Sequence, residues 1–137
     1  VTGTSFIGVA TSAQYADLAE KYTADAEYAP GTVVSFGGDA EVTASTDADT
    51  RVAGVVSTNP AFTMNNNLVA DHVVTVAFTG RVPCRVAGTV RKGDLMVSAG
   101  NGLARAESNP APGTIIGKAL ANHDGAEGTI EVVVGRF

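Results

Sequence analysis

The two halves of this sequence repeat one order of turns and valine-rich segments. Residues 30–35, a Pro-Gly turn followed by β-branched residues, correspond to residues 92–97. Residues 52–57 correspond to residues 115–120, and residues 73–81 and 128–136 both end in Gly-Arg. The matched segments are about 55 to 63 residues apart, which is too loose for a solenoid period. The predicted fold is therefore all-β, a compact barrel or sandwich built from a pseudo-duplicated β-module.

Composition limits the number of domains and the class of partners. The 137 residues suffice for one hydrophobic core, and the 16 glycines and absence of tryptophan fit short strands joined by tight turns. The net charge of −5, from 9 basic and 14 acidic residues, argues against nucleic acid as a partner. No apolar run approaches the ~20 residues of a membrane span, so no membrane insertion is expected.

The segment before the strands has a helix-like pattern. The spacing i, i+3, i+4 and i+7 of a helix face is occupied by Tyr15, Leu18, Ala19 and Tyr22, with Ser12 as a possible N-cap. So short a helix is marginal alone, so we expect it to dock on the β-domain or on a neighbouring copy. The predicted organisation is a fibre stem or linker over residues 1–14, a short helical connector over residues 15–28 and a β-domain over residues 29–137.

The opening residues 1–13 mix glycine with β-branched residues and carry no charged side chain. A segment of this composition cannot form a hydrophobic core alone. Two interpretations remain open at this point: a disordered leader, or one strand of an intertwined stem made by several chains, in which glycine permits close approach.

Asp17 and Glu20 are the candidate catalytic residues. Their i, i+3 spacing would place both carboxylates on one helix face, which permits an acid/base pair. The favoured interpretation is structural, because acidic groups stabilise the first turns of a helix and no histidine lies nearby in sequence.

The remaining reactive side chains have simpler interpretations. Cys84 has no second cysteine for a disulfide or a thiolate metal site, and we expect it to be buried. His72 and His123 each adjoin an aspartate and would be tripled about a three-fold axis, but neither pair has a known metal-ligand spacing. No cofactor and no metal site are predicted.

Glycine and asparagine clusters mark exposed turns, residues 61–71 are expected to form an exposed excursion, and Pro83 is expected to separate two short strands. Gly37-Gly38 and residues 100–102 are not followed by a helix pattern, which favours hairpin turns over phosphate binding. The amides of Asn65, Asn66 and Asn67 offer paired donors and acceptors to a glycan, and an ordinary polar loop explains them equally well.

Six blocks of sequence carry a family resemblance. In chain order they are VTGT (1–4), YADLAE (15–20), PGTVV (30–34), GVVSTNP (54–60), GRVP (80–83) and KGD (92–94). Together they resemble the C-terminal domains of bacteriophage tail-fibre and tailspike proteins, in particular the intramolecular-chaperone family called peptidase G2. The blocks at residues 15–20 and 54–60 are the most specific.

This resemblance implies a homotrimeric β-rich domain that brings three chains of a fibre into register. Some members then cleave themselves beside an Asp-x-x-Glu motif, which Asp17 and Glu20 match, with the bond between Ala16 and Asp17 as the scissile one. The chain departs from that pattern at Ala16, where a hydroxyl-bearing residue is expected.

The predicted function is that of a phage virion structural protein located in the tail. It would trimerise and cap a tail fibre or tailspike, with the fibre shaft of the same protein and a host surface glycan as partners. The alternative from the enzyme class is a self-cleaving intramolecular chaperone that cuts before Asp17. A capsid decoration or carbohydrate-binding module is a third possibility.

Overall fold

The computed structural model describes residues 16–135 and 137, and this part of the chain is all β. The strands are β1 (Asp17–Thr23), β2 (Val33–Phe36), β3 (Val42–Ala44), β4 (Val52–Val56), β5 (Phe62–Met64), β6 (Val73–Ala87), β7 (Leu95–Gly100), β8 (Leu103–Ala106), β9 (Ile115–Ala119) and β10 (Glu127–Val134). Among the described residues, no helix has the length and apolar character of a membrane span.

The second half of β6 belongs to a closed five-stranded barrel. Residues 80–87 pair antiparallel with β10, and the sheet continues through β9 and β7 to β8. A parallel pairing of Val86 with Ala104 joins β8 back to β6 and closes the ring. We call this ring, β6-β10-β9-β7-β8, the second barrel.

The first half of β6 belongs to a ring with the same connections. Residues 73–80 pair with β1 and, near Val76, with β4, and the sheet continues through β2 to β3. A parallel bridge between Ala24 and Val42 joins the end of β1 to β3. We call this ring, β1-β6-β4-β2-β3, the first barrel. Strand β5 lies outside it and pairs in parallel with β1.

The duplication predicted from the sequence is confirmed at the level of strand register. The pairing of β2 with β4 shifts between Val34 and Ser35, and the pairing of β7 with β9 shifts between Met96 and Val97. These are matching positions of the repeated segments. The two modules therefore share strand order and also the place where a bulge increases strand twist.

A pair of glycines marks the closest approach of backbone in each module. A Cβ atom on Gly54 would lie 2.1 Å from the carbonyl oxygen of Ala77, and one on Gly117 would lie 1.9 Å from that of Val133. No side chain larger than hydrogen fits between these strands. The same requirement is thus met by the same residue at equivalent places in the two halves.

The buried apolar side chains form two hydrophobic clusters, because apolar residues alternate with exposed residues along the strands. The smaller fills the first barrel and consists of Ala24, Val34, Val42, Val56, Val74 and Val76. The larger fills the second barrel and also includes Val33, Val55 and Ala77 from strands of the first. Because successive side chains of a strand point to opposite faces, Val34 packs inside its own barrel while Val33 packs towards the other barrel.

The predicted helical connector is wrong over the residues that the structure describes. Asp17–Thr23 form β1, in which Asp17 and Ala19 are buried and Leu18 between them is exposed. Two turns of helix are marginal in water, whereas β6 offers a full edge of hydrogen-bonding groups. The β-domain therefore begins at residue 17 rather than at residue 29. The predicted stem, residues 1–14, lies outside the described residues, as does Tyr15.

Two strand boundaries also differ from the prediction. We expected Pro83 to separate two short strands, but β6 runs through it, with Pro83 opposite Glu131 of β10. The missing N–H of Pro83 is tolerated because β8 meets β6 only at Val86. Residues 61–71, expected to be an exposed excursion, contain the short strand β5.

The paired glycines lead to a first testable prediction. Gly54→Ala and Gly117→Ala should each lower the free energy of unfolding by about 3 kcal/mol, because the added methyl group must displace a backbone carbonyl. Urea denaturation of the purified variants measures this. Gly135→Ala is the control, since its Cβ would meet only ordinary contacts, and a change within about 0.5 kcal/mol is expected. Equal stability of all three variants would contradict the interpretation.

Candidate functional site

Asp17 is buried at the point where β1 meets the middle of β6. It pairs with Gly80, its side chain is only 3% exposed, and its Oδ2 has no hydrogen-bond partner among the described residues. The backbone on either side is held firmly: the Arg81 N–H donates to the Ala16 carbonyl oxygen at 3.1 Å, and the Ala61 N–H donates to the Asp17 carbonyl oxygen at 2.7 Å. The carboxyl group is thus fixed beside the Ala16–Asp17 peptide bond.

Gly80 makes this approach possible. Its φ of +101° lies in a region that side-chain-bearing residues rarely adopt, and a Cβ there would lie 2.3 Å from the Ala16 carbonyl oxygen. Any other residue would push the start of β1 away from β6. The burial of Asp17 therefore depends on a glycine more than sixty residues away in the chain.

Burial sets the chemistry of this carboxyl group. Desolvation raises the pKa of Asp17, and hydrogen bonding from Ser57 and from the backbone offsets part of the rise. A buried carboxyl group with one unpaired oxygen holds its proton at higher pH than an exposed aspartate does. It can therefore act as a proton donor or acceptor towards the neighbouring peptide bond or the Ser57 hydroxyl.

The structure does not bring Glu20 to this site. Asp17 and Glu20 are three residues apart in a strand, so their side chains lie on opposite faces. Glu20 instead accepts a hydrogen bond from the Tyr22 hydroxyl at 3.0 Å. Burial, together with Glu20, raises the pKa of Tyr22 to about 12. The shared helix face that motivated the catalytic pair is absent, and a chemical role for either carboxylate stays a prediction.

The other reactive side chains are dispersed. Cys84 is fully buried, and burial raises the pKa of its thiol to about 12, so the thiolate is disfavoured. His72 is exposed, and the Nδ1 of His123 lies 2.8 Å from the Gly88 carbonyl oxygen. Within residues 16–135 and 137, no three side chains of the metal-ligating types come together.

The asparagine loop has one member with a structural role. Asn65 has a φ of 58°, and its side-chain amide donates to the Lys21 carbonyl oxygen at 3.2 Å, which ties the end of β5 to β1. Asn66 and Asn67 are exposed. A glycan contact at this loop stays a prediction.

A cleft of about 460 Å³ lies between the two barrels. Matching residues of the two modules line it, among them Val52 with Ile115 and Ala53 with Ile116. None of the described residues around it is charged. The walls combine apolar side chains with the hydroxyl group of Thr50 and polar backbone groups.

An apolar surface on β1 and β5 is a feature that the sequence analysis missed. Leu18, Phe62 and Met64 are all exposed, and the parallel register places Phe62 beside Leu18. The available signal was the lack of charged residues over residues 52–70, but we interpreted residues 61–71 as an exposed excursion around their asparagines. This surface and the buried Asp17 lie on the same short strand, β1.

Comparison with known proteins gives similarity in fold alone. No protein-family model matches this chain. No curated protein matches it either. The C-terminal fragment of bacteriophage phi29 gene product 12 aligns with a TM-score of 0.65 at 15% identity, over 86% of this chain and 99% of that one. The head fiber gp8.5 N base of bacteriophage phi29 aligns with a TM-score of 0.48 at 12% identity, over 87% of this chain and 89% of that one.

By its fold, this chain is an all-β domain in which two similar five-stranded rings share one strand, β6. The gene product 12 fragment of phage phi29 has the same overall fold over nearly its whole length. The likeness of the head fiber base is too weak to support an argument.

The raised pKa of Asp17 predicts an unusual dependence of stability on pH. An acid whose pKa is higher in the folded state takes up protons on folding, so its contribution is most favourable at low pH and is lost as pH rises from the ordinary value of 3.8 through the raised pKa. Asp17→Asn removes this loss. Urea unfolding from pH 3 to 7 should therefore show the variant gaining stability relative to the unmodified protein as pH rises.

Asp47 provides a control with the opposite sign. Hydrogen bonds from Arg105, at 2.8 Å and 3.3 Å, lower the pKa of Asp47. Its contribution is present above the ordinary value of 3.8 and is lost as pH falls through the lowered pKa. Asp47→Asn should therefore lose stability relative to the unmodified protein as pH rises. The same slope for the two variants would refute the assignment of Asp17.

Proposed function

We propose that this chain is a structural domain of a phage virion, which trimerises and caps a tail fibre or tailspike. The observation that carries the proposal is the fold shared with the phi29 gene product 12 fragment, which extends over 99% of that fragment. At 15% identity this is a likeness of fold. The residues of this chain must therefore supply the physical reason for assembly.

Two features of the chain favour assembly into a trimer. Residues 1–15 carry no charged side chain and cannot bury their apolar groups by themselves. The β-domain exposes the apolar side chain of Leu18 just after this segment, and Phe62 and Met64 of the adjacent strand β5 are exposed as well. Three compact domains held together would align the preceding segments and raise their effective concentration. In this proposal the partners are two further copies and the fibre shaft of the same protein.

Sedimentation equilibrium tests the trimer. The expected result is a species with three times the chain mass of 13.8 kDa, in the micromolar range and at moderate salt. Assembly through apolar contacts should persist when the salt concentration rises, because screening acts mainly on exposed charges. A monomer at all concentrations would overturn the proposal.

A second candidate function, self-cleavage before Asp17, is favoured by one specific observation. Asp17 is a buried carboxyl group of raised pKa, fixed beside the Ala16–Asp17 bond, and it interacts with the Ser57 hydroxyl. The chain lacks a hydroxyl group at Ala16 itself, and Ser57 supplies one from β4's C-terminal end. In this candidate a water molecule attacks the Ala16 carbonyl carbon, Asp17 passes the water's proton to its own amide nitrogen as the Ala16–Asp17 bond breaks, and the Ser57 hydroxyl orients the Asp17 carboxyl group.

Intact-mass measurement of freshly expressed protein tests self-cleavage. This candidate function predicts a chain that begins at Asp17, and it predicts an uncut chain for Asp17→Ala and Ser57→Ala. Glu20→Ala distinguishes a site made of Asp17 and Ser57 from the Asp-x-x-Glu motif. If Asp17 and Ser57 form the site, this variant still cleaves itself, and if the motif is required, it does not. Asp71→Ala, an exposed aspartate far from the site in sequence, is the control and should behave as the unmodified protein. A full-length mass for the unmodified protein eliminates this candidate and leaves the trimer unaffected.

A further inference from the structure

Strand β5 has a free hydrogen-bonding edge. Among the described residues it pairs only with β1. The Ala61 N–H donates to Asp17 of β1, and backbone groups alternate in direction along a strand. The backbone donors and acceptors of Phe62 and Met64 therefore point away from β1. A further strand can add to β5 at these two residues.

The side chains on this edge are apolar. Phe62 is 60% exposed, Leu18 beside it is 40% exposed and Met64 is 38% exposed. Residues that face each other across a parallel pair lie on the same side of the sheet, so Leu18 and Phe62 form one apolar surface, which Glu20 opposite Met64 borders at its far end. We call Leu18, Phe62 and Met64 the β5 surface.

The usual protection of an edge strand is mostly missing here. Natural proteins place lysine, proline or an inward-pointing charge on such edges. Strand β5 contains none of these, residues 52–70 include no charged residue, and the charged side chain that borders this face is Glu20 of β1, opposite Met64. The shortness of β5 alone limits pairing with unrelated strands. The surface thus suits an uncharged extended segment with apolar side chains.

Residues 1–15 of this protein have that chemistry. They carry no charge, are rich in β-branched residues and include Phe6 and Ile7. Fifteen residues reach at most about 50 Å when extended, which is ample to cross from one domain to the next. The segment ends at Ala16, two residues before Leu18.

The direction of the chain favours the segment of a neighbouring copy. Because β5 runs parallel to β1, a segment that continues straight back from Ala16 leads away from β5 beyond Pro60. A chain would have to reverse direction to reach its own β5. The segment of a neighbour needs no reversal, and the same contact repeated three times closes a ring.

We propose that residues 1–15 of one copy add as a strand to the β5 surface of the next copy. The inference deepens the trimer advanced above and rests on it. It assigns the partner of the β5 surface and names Phe62 as its main apolar contact. Each β-domain would then be held to the next copy by its own residues 1–15.

Site-specific photocrosslinking tests this contact in the full chain. Benzoylphenylalanine at position 62 keeps the phenyl ring of Phe62 and adds a photoreactive benzoyl group, and irradiation of the assembled protein should give a covalent band of two or more chains. Digestion before aspartate releases residues 1–16 separately from β1 and residues 49–70 with the probe. The crosslink should join these two peptides. The same probe at Val69, which is 88% exposed on the same peptide, is the matched control and should give at least tenfold less.

The variant Phe62→Asp gives an independent readout. It should raise the dissociation constant of the trimer at least tenfold, while Val69→Asp changes it less than twofold. A crosslink within one chain, or one to a peptide other than residues 1–16, would overturn the inference. If the unmodified protein sediments as a trimer but yields no such crosslink, the inference is wrong and the trimer stands. If the protein is monomeric, both are wrong.

Discussion

The pairing of β6 along its length is the constraint on which the rest of the structure depends. One half of this strand completes the first barrel and the other half completes the second barrel. The larger hydrophobic cluster takes residues from both rings, so separating the rings would expose Val33 and Val55 to water. Neither ring has a complete set of strands without β6. We therefore expect the described chain to unfold as one cooperative unit.

The duplicated plan explains why small residues recur at fixed places. A ring of five strands is narrow, and valine, alanine and glycine fill it without displacing the backbone. Gly54 and Gly117 show this most clearly, since both face a carbonyl group of the neighbouring strand. The sequences have diverged around this shared requirement. Met96, for example, is the largest fully buried side chain in the described part of the chain and lies where the other module has Val34.

The sequence predicted the strands that follow local turn signals, and it failed where the partner is distant. A Pro-Gly turn precedes β2 and a Lys-Gly-Asp turn precedes β7, so both strands were predicted. The repeat predicted β4, β9 and β10. Strand β1 was missed because Leu18, Ala19 and Tyr22 match a helix face by chance, while its pairing with β6 depends on contacts that no short window contains. Asp17 was singled out for its spacing to Glu20. Its actual distinction, burial beneath Gly80, appears only when β1 and β6 are paired.

The two ends of the β-structure meet at the middle of β6. Asp17 at the start of β1 and Val134 at the end of β10 both pair with Gly80. A pulling force applied to these two ends would act on β6 at Gly80, near the middle of the strand, and would not be transmitted through most of either barrel. The hydrogen bonds next to Gly80 would bear this force, and the hydrophobic clusters inside the two barrels would bear little of it.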